Sequence, residues 1–249
     1  MSISRRVFLS LLVFLAIADL TVPAAAAEKL TLYMTEIPGQ TMLDESESGT
    51  ALDIARAMAE RAGFALDERF LPWTRAVVET ERGAAALIIP FSRIPSREKR
   101  FHWIAELYDL QFGFVSLGTP VNDKAQARTL PRLGVWRGTS MEEELRSEGF
   151  TNLVPVSNDQ ALGRMLIGGR FAAWYGSLNE AAYKFRGIEE VNRRKIRFGK
   201  PVAANPVWLA AGLKLPRHTV DRLRAAMNEI RGDGTIESIL ERYGLGEIQ

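Results

Sequence analysis

Strand-like and helix-like hydrophobic patterns alternate along this chain, and the alternation restarts once, which confines the sequence to layered α/β architectures. Leu30 to Thr35 consists of strong β formers and reads as a strand, followed by a polar loop from Glu36 to Ser48. Leu52, Ile54, Ala55, Met58, Ala59 and Ala62 then recur at helical spacing, with Thr50 placed as the N-cap and Gly63 at the C-terminal end. Leu66 to Leu71 reads as a strand, Thr74 to Arg82 as a helix, and Ala85 to Pro90 as a fully buried strand. The series is β-α-β-α-β. It predicts a largely parallel sheet whose ligand site lies at the carboxyl ends of the strands, in the loops at Glu36 to Ser48, Pro72-Trp73 and Phe91 to Arg97.

A second series follows Gln111 to Gly118 and a polar stretch from Thr119 to Arg132. Arg132 to Trp136 is a strand, Met141 to Glu148 a helix, and Asn152 to Val156 a strand. Ser157 or Asn158 caps a helix over 159–167, and Phe171 to Tyr175 is the last strand of the series. A third section holds a strand near Val207 to Leu213, a helix from His218 to Arg231 and a short helix from Thr235 to Tyr243.

Composition removes whole classes of function. With no Cys in 249 residues, disulfide scaffolds, Cys-based zinc sites, iron–sulfur clusters, thiol nucleophiles and a lipidated N-terminal Cys are excluded. His102 and His218 are the only imidazoles, which argues against a hydrolytic triad or a His-rich metal site. Residues 1–27 read as an export leader: Arg5 and Arg6, an apolar run from Val7 to Ala18 too short to span a bilayer, then Ala24 to Ala27 as a cleavage region. Ser4-Arg5-Arg6-Val7-Phe8-Leu9 also fits a twin-arginine leader, so the general secretory and twin-arginine routes both stay open. Formal charge is near balance, which gives no global pull toward nucleic acid.

Three loop segments could carry chemistry. Arg137-Gly138-Thr139-Ser140 stands between a strand and a helix, where free backbone N–H groups and the helix dipole favour an anion and Gly138 lets the backbone approach a ligand. A capped helix start is the plainer reading, and Glu142, Glu143 and Glu144 weaken the local positive potential. Ser92 to Arg100 crowds Arg93, Arg97, Lys99 and Arg100 at one strand end, either as carboxylate-binding forks or as a solvated basic loop. Pro72-Trp73-Thr74-Arg75 places an indole at another strand end; Trp73, Tyr108, Trp136, Tyr175 and Trp208 are each read as ligand-stacking surfaces or as core.

In order and spacing these segments resemble the family 3 periplasmic solute-binding proteins, the polar amino-acid-type receptors of ABC importers, over nearly the whole chain beyond the leader. The resemblance rests on Gly49-x-x-x-Asp53-Ile54-Ala55, on Ser92-x-x-Pro95-x-Arg97 with Trp103 and Tyr108 beyond it, and on Arg137-Gly138-Thr139-Ser140. Gly168-Gly169-Arg170 and the ending Asp233-Gly234-Thr235-Ile236-x-x-Ile239-x-x-x-Tyr243-Gly244 complete it. The Pro72-Trp73-x-Arg75 segment is similar to that of exported members whose ligands are often unassigned. The resemblance implies an α/β fold of two lobes, each a mostly parallel sheet flanked by helices, with the ligand cleft between them. Residues 28–115 and 201–249 would form the first lobe and 116–200 the second, closing over a small solute by hinge motion. It further implies that Arg97 binds a ligand carboxylate with Ser92, that Gly138, Thr139 and Ser140 complete the pocket, and that Trp73 and Tyr175 pack on the ligand body. An ABC permease in the inner membrane is the implied partner and a monomer the implied state, with no metal, cofactor or catalytic residue and with a periplasmic location.

Two positions depart from the family pattern. The acidic residue that holds a ligand ammonium is replaced by Gly176 or Ser177, and the aromatic clamp of the first loop is replaced by Glu36-Ile37-Pro38-Gly39-Gln40. Either Glu36 takes the ammonium or the ligand lacks one. Arg75 and Arg93 would join Arg97 if the ligand is larger or polyanionic. Two other functions fit the same fold: a periplasmic dehydratase of cyclic acids with Glu36 as general acid, and a soluble sensor or assembly partner.

Overall fold

The computed structural model describes residues 27–44, 46–185 and 195–243. Apart from Ala27, the expected leader lies outside the described residues, as does Gly244 of the terminal motif. The first series forms β1 (Glu28–Met34), α1 (Thr50–Arg61), β2 (Phe64–Phe70), α2 (Trp73–Arg82) and β3 (Ala86–Ser92). A long strand, β4 (Phe101–Leu117), leads to the second series: α3 (Lys124–Thr129), β5 (Leu133–Trp136), α4 (Ser140–Ser147), β6 (Leu153–Val156), α5 (Asp159–Ile167), β7 (Ala173–Ser177) and α6 (Leu178–Lys184). The chain returns through β8 (Ile196–Phe198) and β9 (Ala203–Gly212) to α7 (Arg217–Gly232) and α8 (Thr235–Arg242).

The strands join in one path, β2-β1-β3-β9-β4-β7-β5-β6, with β8 on β4. The parallel pairing expected of each series holds for β2-β1-β3 and for β7-β5-β6. Between them β9 and β4 run antiparallel to each other and to their neighbours, which makes the whole sheet mixed. Both passages of the chain between the two halves therefore lie side by side, paired from Phe101↔Gly212 to Phe112↔Ala203.

Each half has its own helical cover. On the first, α1 turns Ala51, Leu52, Ile54, Ala55, Met58 and Ala59 inward, and α7 does the same with Val220, Leu223, Ala226, Met227 and Ile230. These faces bury apolar area against β1 and β3, whose Leu30, Leu32, Leu87 and Ile89 are fully enclosed. A second cluster joins Phe91, Phe101 and Trp103 of the first half to Trp136, Trp174 and Phe185 of the second. Among the described residues no helix is long and apolar enough to cross a membrane.

Several boundaries differ from expectation. The N-cap of α1 is Gly49, not Thr50; Thr50 opens the helix, and its hydroxyl donates to the Gly39 carbonyl at 3.0 Å. The stretch from Thr119 to Arg132 contains α3, whose first turn is capped by Asp123. Neither helix α6 nor the long strand β4, which runs from Phe101 through Gln111 to Leu117, was expected from periodicity. Asn158 caps α5 as expected, accepting from the Ala161 N–H at 2.8 Å.

Gly49 holds φ at 99°, and a Cβ there would stand 2.4 Å from the Gln40 backbone carbon. Only Gly fits this close approach of two backbones. Gly49→Ala should cost more than about 1 kcal/mol, because both the dihedral and the contact oppose the methyl group. A thermal melt should show Tm falling by at least about 2–4 °C; an unchanged Tm would show that the loop carrying Gln40 is not locked to α1.

Candidate functional site

The paired strands β4 and β9 form the floor of a cleft between the two halves. Three adjoining chambers lie along it. The middle one is narrow, about 50 Å³, and is enclosed by Trp73, Phe91 and Ser92 from the first half and by Trp136, Thr139 and Ser140 from the second. A wider chamber of about 460 Å³ shares Ser92, Phe112, Ser140, Met141, Asn205 and Pro206 with it and extends to Ile94, Pro95 and Glu143. A third of about 140 Å³ lies beyond Gln40, Leu110 and Glu180, toward Pro38 and Tyr183.

Arg97 is placed behind the middle chamber by the short 3₁₀ turn Pro95–Arg97 that follows β3. Its side chain is buried, with 6% exposure, and among the described residues it has no ion pair. The guanidinium lies 4.4 Å from the Phe91 ring centroid and 5.9 Å from that of Trp73, and donates to the Ser92 carbonyl at 3.2 Å and the Gly138 carbonyl at 3.5 Å. Aromatic faces and carbonyl dipoles offset part of the cost of burying this charge. Burial still brings the Arg97 pKa down to about 10, so the cation persists at neutral pH.

The Gly138 carbonyl also accepts from the Trp73 indole N–H at 3.1 Å, which ties α2 to the loop before α4. Gly138 reaches this position with φ at 72°, and its own N–H donates to Glu142 at 2.7 Å. Other contacts bridge the cleft at its rim. Ser96 donates to Glu143 at 3.0 Å, Gln160 to Glu36 at 2.8 Å, and Tyr183 to Glu47 at 2.7 Å.

Between the middle and third chambers the cleft is crossed by a buried chain of polar groups. The Tyr108 hydroxyl donates to the Gln40 amide oxygen at 2.8 Å, and the Gln40 amide nitrogen donates to Glu180. Behind Glu180, Asp159 and Lys184 form a buried ion pair, with Lys184 4.5 Å from the Trp174 ring centroid. Two carboxylates thus share one ammonium in a desolvated site. Burial, reinforced by the charge of Asp159, pushes the Glu180 pKa up to about 8.

The structure gathers most of the expected residues. Trp73, Ser92, Thr139 and Ser140 line the middle chamber, and Gly138 and Arg97 meet just behind it. Thr139 is turned to its own strand, donating to the Trp136 carbonyl at 2.7 Å. Four others lie elsewhere. Arg75 is 66% exposed beside Glu79, on the outer face of α2, because its place in the helix points away from the sheet. Tyr175 is buried against Phe112 and Phe114 with its hydroxyl on Glu144, one face of β7 being core. Ser177 caps α6, accepting from the Glu180 N–H at 3.2 Å. Glu36 sits exposed at the rim on Gln160 and does not line a chamber. Arg93 reaches the wide chamber but is committed to Glu98 and lies over the rings of Trp103 and Trp208.

Gln40, Glu180, Phe112 and Asn205 are the residues that sequence reasoning missed. A signal for Glu180 existed: Ser177-x-x-Glu180 is a helix-opening pattern, and it sets a carboxylate one turn beyond the strand end where an acid was sought.

No family model matches this sequence, and a comparison with curated proteins finds no match. Solved structures do match. A histidine kinase sensor domain with similarity to periplasmic binding proteins superposes with a TM-score of 0.79 at 16% identity, covering 88% of this chain and 97% of its own. An ancestral arginine-binding protein bound to arginine gives 0.77 at 15% identity, covering 88% and 100%. The amino acid ABC transporter substrate-binding protein AbpA from Streptococcus pneumoniae, bound to L-arginine, gives 0.73 at 13% identity, covering 89% and 96%. This chain therefore has the two-lobed periplasmic-binding-protein fold, α/β with a mixed sheet flanked by helices.

The buried carboxylate gives a pH signature. Folded protein holds the Glu180 proton at pH values where the unfolded chain has released it. The stabilisation is complete below the ordinary carboxylate range and is lost as pH rises toward about 8. Within that window stability should fall by up to about 1.4 kcal/mol per pH unit. Glu180→Gln should flatten the slope in urea melts taken from pH 5 to 8; an identical slope in the variant would exclude Glu180 as its source.

Proposed function

We propose that this protein is a periplasmic solute receptor that captures a small carboxylate-bearing organic molecule and presents it to an ABC permease. The observation that carries this reading is the buried, unpaired Arg97 cation at the junction of the two lobes. A desolvated guanidinium whose close partners are carbonyls and ring faces, with Glu143 acting on it only from a longer distance, gains from an anion in contact, and a carboxylate matches its planar fork. The solute carboxylate would take the place of the Gly138 carbonyl when the lobes part. Ser92, Thr139 and Ser140 would add hydroxyl or backbone donors, and Trp136, whose buried indole N–H has no partner among the described residues, would add another. Trp73 would cover the bound body.

In this reading residues 28–115 and 201–249 form one lobe and 116–200 the other, with the hinge in β4 and β9. The structural likeness to amino-acid-binding proteins of transporters supports binding over catalysis, and Glu36, the acid once expected to serve as general acid, stands outside the chambers. The likeness to a sensor domain favours one second reading, in which the same solute is reported to a membrane partner instead of imported.

A thermal-shift screen of small carboxylates tests the receptor reading, since a ligand that binds only the folded state raises Tm by mass action. Arg97→Met should leave Tm unchanged or raised, because it removes an uncompensated buried charge, yet should weaken ligand binding by tenfold or more, about 1.4 kcal/mol or above. Retained ligand affinity in that variant would remove Arg97 from the site. Small-angle scattering should show the radius of gyration falling on ligand addition if β4 and β9 act as the hinge.

A further inference from the structure

Resting on the two-lobed hinge of that reading, we propose that closing the lobes takes up a proton at Glu180: Gln40 seals this carboxyl inside the cleft when the lobes meet, and its ionised form drives them apart. The contact spans the two proposed lobes. Gln40 and Tyr108 belong to the first and Glu180 to the second, so the buried chain of polar groups is complete only while the cleft is shut. Its geometry is set from both sides. The Tyr108 hydroxyl donates to the Gln40 amide oxygen at 2.8 Å, which turns the amide nitrogen toward Oε1 of Glu180 and leaves Oε2 to carry the proton. From the other side, the Ser177 hydroxyl accepts from the Glu180 N–H at 3.2 Å and fixes the residue in the first turn of α6.

The groups that face Glu180 decide the sign. Asp159 of α5 is paired with Lys184 of α6, and their side chains are 3% and 7% exposed. Tyr108 of β4 faces Glu180 through Gln40, and Tyr183 and Tyr243 share the wall of the third chamber with it; Thr50 and Leu110 add no charge there. Glu36 and Glu47, in the loop that carries Gln40, are turned to Gln160 and Tyr183 instead. One ammonium thus serves two carboxyl groups in a site that the first lobe seals. The Gln40 amide taken alone favours the anion, but lost hydration and the charge of Asp159 outweigh it and hold the closed-state pKa at about 8. Parting the lobes takes Gln40 and Tyr108 from one side of Glu180, admits water from the chambers that flank it and returns the carboxyl toward its ordinary range. Between that range and about pH 8 the closed protein therefore holds one proton more than the open protein, so closure becomes less favourable as pH rises.

Because the chain has no Cys, the full protein can be labelled at chosen places. Val78→Cys on α2 and Thr151→Cys before β6, both exposed and outside the chambers, accept one spin label on each lobe. Double electron–electron resonance then reads the distance between the labels from pH 5 to 9 with no ligand added. A short distance should dominate at low pH, and the ratio of short to long should fall by up to about tenfold per pH unit toward pH 8 and level off above it. Glu180→Gln, neutral at every pH, should keep the short distance throughout. Gln40→Met, which removes the donor, should raise the long-distance share at every pH. A distance distribution that ignores pH, or a pH response that survives Glu180→Gln, overturns proton-linked closure, and a profile unchanged by Gln40→Met overturns the role of Gln40 in it. The carboxylate screen decides the receptor reading separately. Carboxylates that raise Tm, beside labels that do not respond to pH, leave a receptor without this switch; labels that respond to pH, with no carboxylate bound, leave the switch without the receptor.

Discussion

The antiparallel pairing of β4 with β9 is the contact on which the cleft depends. Both passages of the chain between the lobes lie in this one ladder, so the lobes are joined by a hydrogen-bonded ribbon and not by separate linkers. The ladder is also irregular where the cleft begins. Its register shifts between Trp103 and Ala105 and again between Glu106 and Tyr108, and Pro206, which lacks an N–H, sits opposite Asp109 beside the second shift. Bulges of this kind increase local twist and re-aim side chains. Here they accompany the turn of Tyr108 toward Gln40, and they leave Leu110, Phe112, Asn205 and Val207 as the floor.

Upon that floor the balance of charge decides what can bind. Arg97 loses most of its hydration on burial, and the ring faces of Phe91 and Trp73 return a part of it. Carbonyl dipoles at Ser92 and Gly138 return more, but a dipole at 3.2–3.5 Å is a poor substitute for a full negative charge. The same Gly138 carbonyl serves Trp73 and Arg97, so one backbone group of the second lobe satisfies two donors of the first. The surroundings of Arg97 are therefore electrostatically incomplete. In the proposed reading, an anion entering at this point would complete the electrostatics of a site whose walls already exist.

The alternating patterns made the two βαβ series and their helices legible, because apolar faces at period 2 and period 3.6 are written directly in residue order. The strand-end loops carrying Trp73, Ser92, Arg97 and Thr139 followed from that topology. What escaped were features set by pairing and not by local pattern. The first half of β4, Phe101 to Leu110, mixes His102, Glu106 and Asp109 with aromatics, and only its place between β9 and the helices makes it a strand. Helix α6 is too short for periodicity to register, though its Ser177 cap was present in the sequence. Arg75 and Tyr175 were assigned by proximity to loops, yet a side chain's face is fixed by its residue's phase in the element. Arg75 falls on the solvent side of α2, and Tyr175 on the core side of β7.

Phase explains the acidic residues as well. The strand end where an acid was sought holds Gly176 and Ser177, and the carboxylate appears one helical turn later as Glu180. That shift carries it past the anchor into contact with Asp159 and Lys184, where two carboxylates compete for one ammonium and burial favours the protonated form. A ligand cation could reach Glu180 only by displacing its proton and the Gln40 amide together, and each displacement subtracts from the Coulombic gain. Glu143, by contrast, stands exposed with a hydroxyl partner in Ser96, and its charge acts on Arg97 and Arg100. The difference between the two glutamates thus arises from burial and from the groups each already meets.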